Sequence, residues 1–407
     1  MMTGCNDFFG QGQDESYFEK KGCIHTASEI AAQPFLWKEL CKMLIEKKES
    51  ISAFMKGLGN LSEMRVILTG AGSSAFIGEA LAGFLAESSK IKCEAIHTTD
   101  IVSAPDTVLF ADIPTLLVSF ARSGNSPESA GAVQYARKAV KNLREVAIVC
   151  DGGSKLSQIT AEDKKNLVLV MPEGSNDKGF AMTSSVTCML LAGFALFNSD
   201  VLDGIVEDII LLSEILENNS LELSDLALEC ASLPFDRAVY LASGAFKGLA
   251  HEASLKMLEL SNGNVTTGYD SATGFRHGPK AVIKDNTMSL HFISRDPFTA
   301  RYDIDLLAEV YRQKNKNTVV AFCCDSEKGI KADKVMKINT DCYGFTSDLC
   351  PGIHGLVFFQ MLAMYKSLEL GITTDNPSPG GQVNRVVKGV TVYPWEIDAE
   401  QYPHCNI

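Results

Sequence analysis

Between residues 26 and 48 apolar side chains recur at helical intervals. Ile30, Phe35, Leu36, Leu40, Met43 and Leu44 gather on one face, which predicts a helix. The pattern then changes period. Arg65-Val66-Ile67-Leu68-Thr69 has strand length and runs into Gly70-Ala71-Gly72-Ser73-Ser74, then into a stretch rich in Ala, Gly and Leu that reads as helix. Short apolar runs follow at residues 115–119, 145–150 and 167–171, separated by helical patterns. Strands alternating with helices predict a parallel sheet covered on both faces.

The same opening returns later in the chain. Ala238-Val239-Tyr240-Leu241-Ala242 leads into Ser243-Gly244-Ala245 and a helix from about Lys247, with strand-like runs at residues 288–293 and 318–322. Two related α/β domains are therefore expected. The predicted division is an N-terminal helical segment at residues 1–50, a first domain at 51–205, a second at 220–370 and a tail at 371–407. The acidic helical stretch 202–224 forms the joint. The tail is rich in Pro, Gly and Asn and should wrap the body as a loop.

Composition narrows the function classes. At 407 residues the chain exceeds one ordinary core, and 46% hydrophobic with 21% charged residues is globular. A net charge of -13 argues against a nucleic-acid binder, though helix N-termini can still hold an anion. Met1–Lys20 lacks the apolar run of a secretory signal, and no stretch reaches bilayer length. Twelve cysteines lie scattered without metal-like spacing. A cytoplasmic chain with reduced thiols is expected, with no metal, cofactor, nucleic-acid or membrane partner.

Three places could carry chemistry. Gly70-x-Gly72-x-x-Ala75 matches part of a dinucleotide fingerprint, but the run Cys93-Glu94-Ala95-Ile96-His97 does not end in the required acidic residue. Ser73 and Ser74 suit a sugar or a phosphate, and a tight strand-to-helix turn would need the same glycines. Ser119-Phe120-Ala121-Arg122-Ser123-Gly124-Asn125-Ser126-Pro127-Glu128-Ser129 follows a strand and precedes a helix. Its hydroxyls and the helix start could hold a phosphate, or Ser126 could simply cap the helix; the residues alone leave both open. Third, Glu259 near the end of an amphipathic helix and His277 in Gly274-Phe275-Arg276-His277-Gly278-Pro279-Lys280 supply a carboxylate and an imidazole, the minimum for acid–base work. Lys388 is a solvated charge unless desolvated into a nucleophile.

In this order the motifs resemble the sugar isomerase (SIS) superfamily, in particular the two-domain isomerase half of glucosamine-6-phosphate synthase. The resemblance runs from Glu29-Ile30-Ala31-Ala32-Gln33-Pro34 through Gly72-Ser73-Ser74 and Ser123-Gly124-Asn125-Ser126. It continues through Glu252 and Glu259 to Arg276-His277-Gly278-Pro279, Asp375-Asn376-Pro377 and Lys388-Gly389-Val390-Thr391-Val392. The segment 119–129 looks closest to the galactosamine-6-phosphate deaminase / tagatose-6-phosphate ketose–aldose isomerase family. That resemblance implies that Ser74, Ser123, Ser126 and Thr183 hold the sugar phosphate. It implies that Glu259 moves a proton between C1 and C2, His277 opens the ring from a partner subunit in a homodimer, and Lys388 meets the open-chain sugar. Ala121-Arg122 replaces the synthase's Ser-Gln, so Arg122 could supply the lost phosphate contact or could equally point away. The implied reaction is deaminating isomerisation of galactosamine 6-phosphate to tagatose 6-phosphate and ammonia. Plain ketose–aldose isomerisation, a sugar-phosphate sensor and a nicotinamide oxidoreductase are the competing readings. A sensor that acts on DNA would need a helix-turn-helix, which the first fifty residues do not show.

Overall fold

The computed structural model describes residues 4–324, 329–338, 342–346, 348–387 and 389–395. Its first sheet contains β1 (Arg65–Thr69), β2 (Cys93–Ala95), β3 (Thr115–Ala121), β4 (Leu143–Val149) and β5 (Leu167–Val170), all parallel, in the order β2-β1-β3-β4-β5. The second contains β6 (Arg237–Leu241), β7 (Thr266–Asp270), β8 (Thr287–Phe292), β9 (Thr318–Cys324) and β10 (Lys334–Ile338), in the order β10-β9-β8-β6-β7. Counted from its own first strand, each sheet has the same order. Helices flank both, so the α/β expectation holds.

Side chains on each strand alternate between two cores, as the period of two requires. Val66 and Leu68 of β1, Val118 of β3, Tyr240 of β6 and Leu290 of β8 all enter one shared central core. Ile67 and Leu117 face an outer core of the first sheet, and Val239 and Leu241 an outer core of the second. The central core is threaded by the Ile24–Leu58, Leu202–Ser232 and Leu349–Glu369 helices. Thus the acidic stretch expected as a joint is a helix of 31 residues packed between the units.

Pro34 lies inside the Ile24–Leu58 helix and has no N–H for the carbonyl of Ile30. Gln33 supplies the substitute: its Nε2 donates to Ile30 O at 3.3 Å and to Gln360 Oε1 at 2.8 Å. β7, β10 and the Leu349–Glu369 helix have no counterpart among the expected elements. Among the described residues no single helix is long and apolar enough to cross a membrane. The tail beyond Gly371 carries no helix or strand among its described residues and lies along the first unit.

Candidate active site

Strand order reverses between β1 and β3, where both flanking loops leave the carboxyl ends of the strands. Such a switch point opens the crevice in which α/β sheets bind ligands. Gly72 and Gly124 turn these loops with φ of 57° and 60°, a region L-residues rarely enter. Gly72 delivers Ser73 and Ser74 to the first turn of the Ser73–Ser88 helix. Gly124 lies so close to Ser154 that a side chain there would collide with it.

The helix that follows β6, Lys247–Leu260, crosses Ser73–Ser88 at small residues. A Cβ on Gly83 would come 2.8 Å from Ala245 Cα, and one on Gly248 would strike the backbone of Ala80. This close approach brings the far turns of Lys247–Leu260 to the start of Ser73–Ser88. There Lys256, fully buried, donates to Ser73 Oγ at 2.8 Å and Glu259 Oε2 at 2.6 Å, with Glu252 Oε1 at 3.3 Å. The contact with Glu252 is an ion pair without a hydrogen bond, and both of its carboxylate oxygens are buried with no hydrogen-bond partner. Burial alone would lower Lys256, but Glu252 and Glu259 together hold it above its usual value. Burial pushes Glu252 up to about 7 against the pull of Lys256. Glu259, a quarter exposed, reaches a cavity of about 380 Å³ whose other walls include Phe180, Asn262, Ser378 and Val383.

The structure thus joins Ser73 of the first unit to Lys256 and Glu259 of the second, with Ser74 next to Ser73 on the same helix turn. Ser74 is buried, with Oγ 3.8 Å from Met182 Sδ. Ser123 is half-buried, and its Oγ accepts from Asn125 N at 3.4 Å. Ser126 caps the Pro127–Ala139 helix, accepting from Ser129 N at 3.4 Å and pairing with Ser129 Oγ at 2.7 Å. Thr183 is fully buried and gives its hydroxyl to Asp177 (3.0 Å), which also accepts from the N–H groups of Thr183, Ser184 and Ser185. A carboxylate already occupies that helix start.

Arg122 is 7% exposed and directs its guanidinium to main-chain carbonyls at Phe180 (3.4 Å) and Arg385 (2.7 Å). Burial and the neighbouring Arg385 charge lower it below the usual guanidinium range, against the pull of Asp177, Glu259 and Glu29. Glu29 accepts from the N–H groups of Lys178 and Gly179, and burial raises it to about 8. His277 sits on the surface of its own chain, just past the Ala272–Phe275 helix, with its N–H bonded to Gly274 O. Lys388 lies outside the described residues. A larger cavity, about 800 Å³, lies at the opposite end of β1, where Arg65 is already paired with Glu94.

Lys256 escaped the sequence reading. A signal existed: Glu252, Lys256 and Glu259 are spaced i, i+4, i+7 and so share one helix face.

Two parallel sheets with this switch point, and a serine-bearing helix start bonded to a buried lysine that pairs with Glu259, fit the sugar isomerase class. Residues 61–199 match the SIS domain. The isomerase-type fold recurs in the C-terminal domain of glucosamine-fructose-6-phosphate aminotransferase from Francisella tularensis, at 17% identity and TM-score 0.68 over 86% of this chain and 97% of that one. A D-galactosamine-6-phosphate deaminase AgaS from Shewanella sp. strain ANA-3 is 38% identical over 92% of this chain and 93% of its own. The crystal structure of tagatose-6-phosphate ketose/aldose isomerase from Escherichia coli superimposes with TM-score 0.83 at 34% identity, covering 91% of this chain and 97% of that one. The chain belongs to the D-galactosamine-6-phosphate deaminase AgaS family of SIS-domain proteins.

Proposed function

We propose that the protein deaminates D-galactosamine 6-phosphate to tagatose 6-phosphate and ammonia, as a cytoplasmic homodimer. The observation that carries this reading is Lys256, which bridges Glu259 to Ser73 and so holds a carboxylate beside the hydroxyl-lined loops. Ser74, Ser123 and Ser126, with the positive end of the Ser73–Ser88 helix dipole, receive the 6-phosphate. Ser126 can keep its capping bond and still offer its hydroxyl. The SIS units occupy residues 51–205 and 220–370.

His277 of a second subunit opens the sugar ring, consistent with its exposure on its own chain. Glu259 then removes the proton from C2 of the open aldehyde and returns one to C1. The C2 amine becomes an imine as C1 becomes a hydroxymethyl group. Water adds to C2, the C–N bond breaks, and ammonia leaves the ketose. Lys256 holds the Glu259 carboxylate while it faces both carbons, and Lys388 orients the C2 centre.

The test is the ratio of ammonia to ketose formed from galactosamine 6-phosphate, with glucosamine 6-phosphate beside it. A ratio near one supports deamination. The likeness to the Escherichia coli isomerase structure favours a second reading, ketose–aldose interconversion of tagatose 6-phosphate. Turnover of that ketose with no ammonia from either amino sugar selects the second reading.

A further inference from the structure

Arg122 directly precedes the Ser123–Ser126 loop, yet its bonds run elsewhere. Its two terminal nitrogens donate to Phe180 O and Arg385 O. Arg385 answers by donating to Gly179 O at 3.1 Å and to Asp177 O. Loop 177–180, Arg122 and the tail are therefore laced together through main-chain carbonyls. The loop is itself fixed, because Glu29 and the Asp177 cap hold it from below.

The tail is fastened on either side of this point. Upstream, Asp375 accepts from His25 N (2.9 Å) and Thr26 N (2.9 Å). Downstream, Tyr135 donates to Tyr393 O, Lys138 donates to Trp395 O, and Val392 covers Gly131. Between the first two fastenings, Ser378 and Val383 form a wall of the Glu259 cavity. Lys388 is three residues past Arg385, about 10 Å of chain at most. The position of Arg385 thus limits both that wall and the reach of the lysine.

We infer that Arg122 is a positioning residue: it clamps the tail at Arg385 against the Glu259 cavity and makes no contact with the sugar phosphate. Conversion of a phosphate-loop side chain into a tail clamp also explains how Arg can stand where the synthase-like pattern has Gln. The guanidinium is committed to carbonyls on two segments, a geometry its fork suits and a single amide would not span. The inference rests on the reaction proposed above for its kinetic arm alone.

The experiment compares the wild type with Arg122→Met and Arg122→Lys in the full chain. Misplacing the tail by an ångström lowers kcat by up to ~10²-fold in Arg122→Met. KM for galactosamine 6-phosphate and Ki for inorganic phosphate stay within about threefold, because ground-state phosphate contacts are untouched. Arg122→Lys recovers part of kcat. In a Lys388→Ala background Arg122→Met has little further effect, since the two act as one unit. Trypsin cuts after Arg385 or Lys388 faster in Arg122→Met than in the wild type. A tenfold or larger rise in KM and Ki with kcat retained makes Arg122 a phosphate ligand and overturns the clamp. Fully additive losses with Lys388→Ala, or tail cleavage at the wild-type rate, overturn it too. Should the wild type turn over neither sugar phosphate, the proposed reaction fails, and tryptic cleavage still decides the clamp.

Discussion

The two sheets share one strand order, yet their switch points are furnished differently. At the first, between β1 and β3, the loops present Ser73, Ser74 and Ser123, with no carboxylate capping the Ser73–Ser88 helix. At the second, between β6 and β8, carboxylates fill the corresponding place. Asp303, 3% exposed, accepts from Ser294 N at 3.2 Å. Asp348, 1% exposed, accepts from Ser294 Oγ (3.1 Å) and Arg295 N (3.2 Å). Asp296 caps the Pro297–Arg312 helix through Thr299 N. In the loop after β8 and the helix that follows it, backbone N–H groups that could meet an anion are taken by the protein's own acids. Topology says where a crevice opens; side-chain charge says whether a phosphate can enter it.

The sharpest way to break the comparison is at Glu259. Glu259→Gln keeps the shape of the first crevice and removes the base, so kcat should fall ~10²–10⁴-fold while substrate still binds. Wild-type product should carry solvent deuterium. Near-normal turnover in the variant would remove Glu259 from the chemistry.

Next is Lys256→Met, which leaves Glu252 and Glu259 facing each other without their cation. Breaking a buried ion pair from one side costs about 3–5 kcal/mol of stability. Denaturant unfolding measures this, and activity should drop with it. If the unfolding midpoint is unchanged, the bridge is not holding the two units together at that point.

Ser126→Ala tests the phosphate side. Loss of the cap costs about 0.5–2 kcal/mol. KM should rise more than kcat falls, since the contact belongs to the ground state. An unchanged KM on the phosphorylated sugar would reduce Ser126 to a helix cap.

The smallest effect is expected at the second switch point. Burial raises Asp303 to about 6, against its bonds with Ser243 and Ser294. The folded chain therefore holds that proton more firmly than the unfolded chain does. Its contribution to stability is greatest below pH 3.8 and declines as pH rises through about 6. Asp303→Asn should flatten the thermal-stability profile between those values and leave KM unaltered. A raised KM would mean that the second crevice also meets substrate.

Much of this was legible before any coordinates. β1 runs over the residues its apolar pattern marked, and Glu259 sits near the end of its helix as its spacing implied. β7 was not legible, because Thr266-Thr267-Gly268-Tyr269-Asp270 is polar and none of it is buried. The Leu349–Glu369 helix was missed for the opposite reason: residues 349–367 are buried on every side, so no amphipathic period remains to read. Arg122 illustrates a third limit. Its partners are carbonyls 58 and 263 residues away, and a carbonyl leaves no mark on residue type. His277 was marked by motif order alone, and on its own chain it is exposed.

The crossing of Ser73–Ser88 with Lys247–Leu260 has a consequence for how such a site can drift over generations. Gly83 and Gly248 let the two backbones touch. Lys256 stands eight residues beyond Gly248, about 12 Å along the axis. The crossing is a fulcrum and Lys256 the end of the arm. A single methyl group wedged at the fulcrum tilts the arm and withdraws the ammonium from Ser73, although it touches nothing that reacts. Two glycines far from Lys256 thereby set where its ammonium stands.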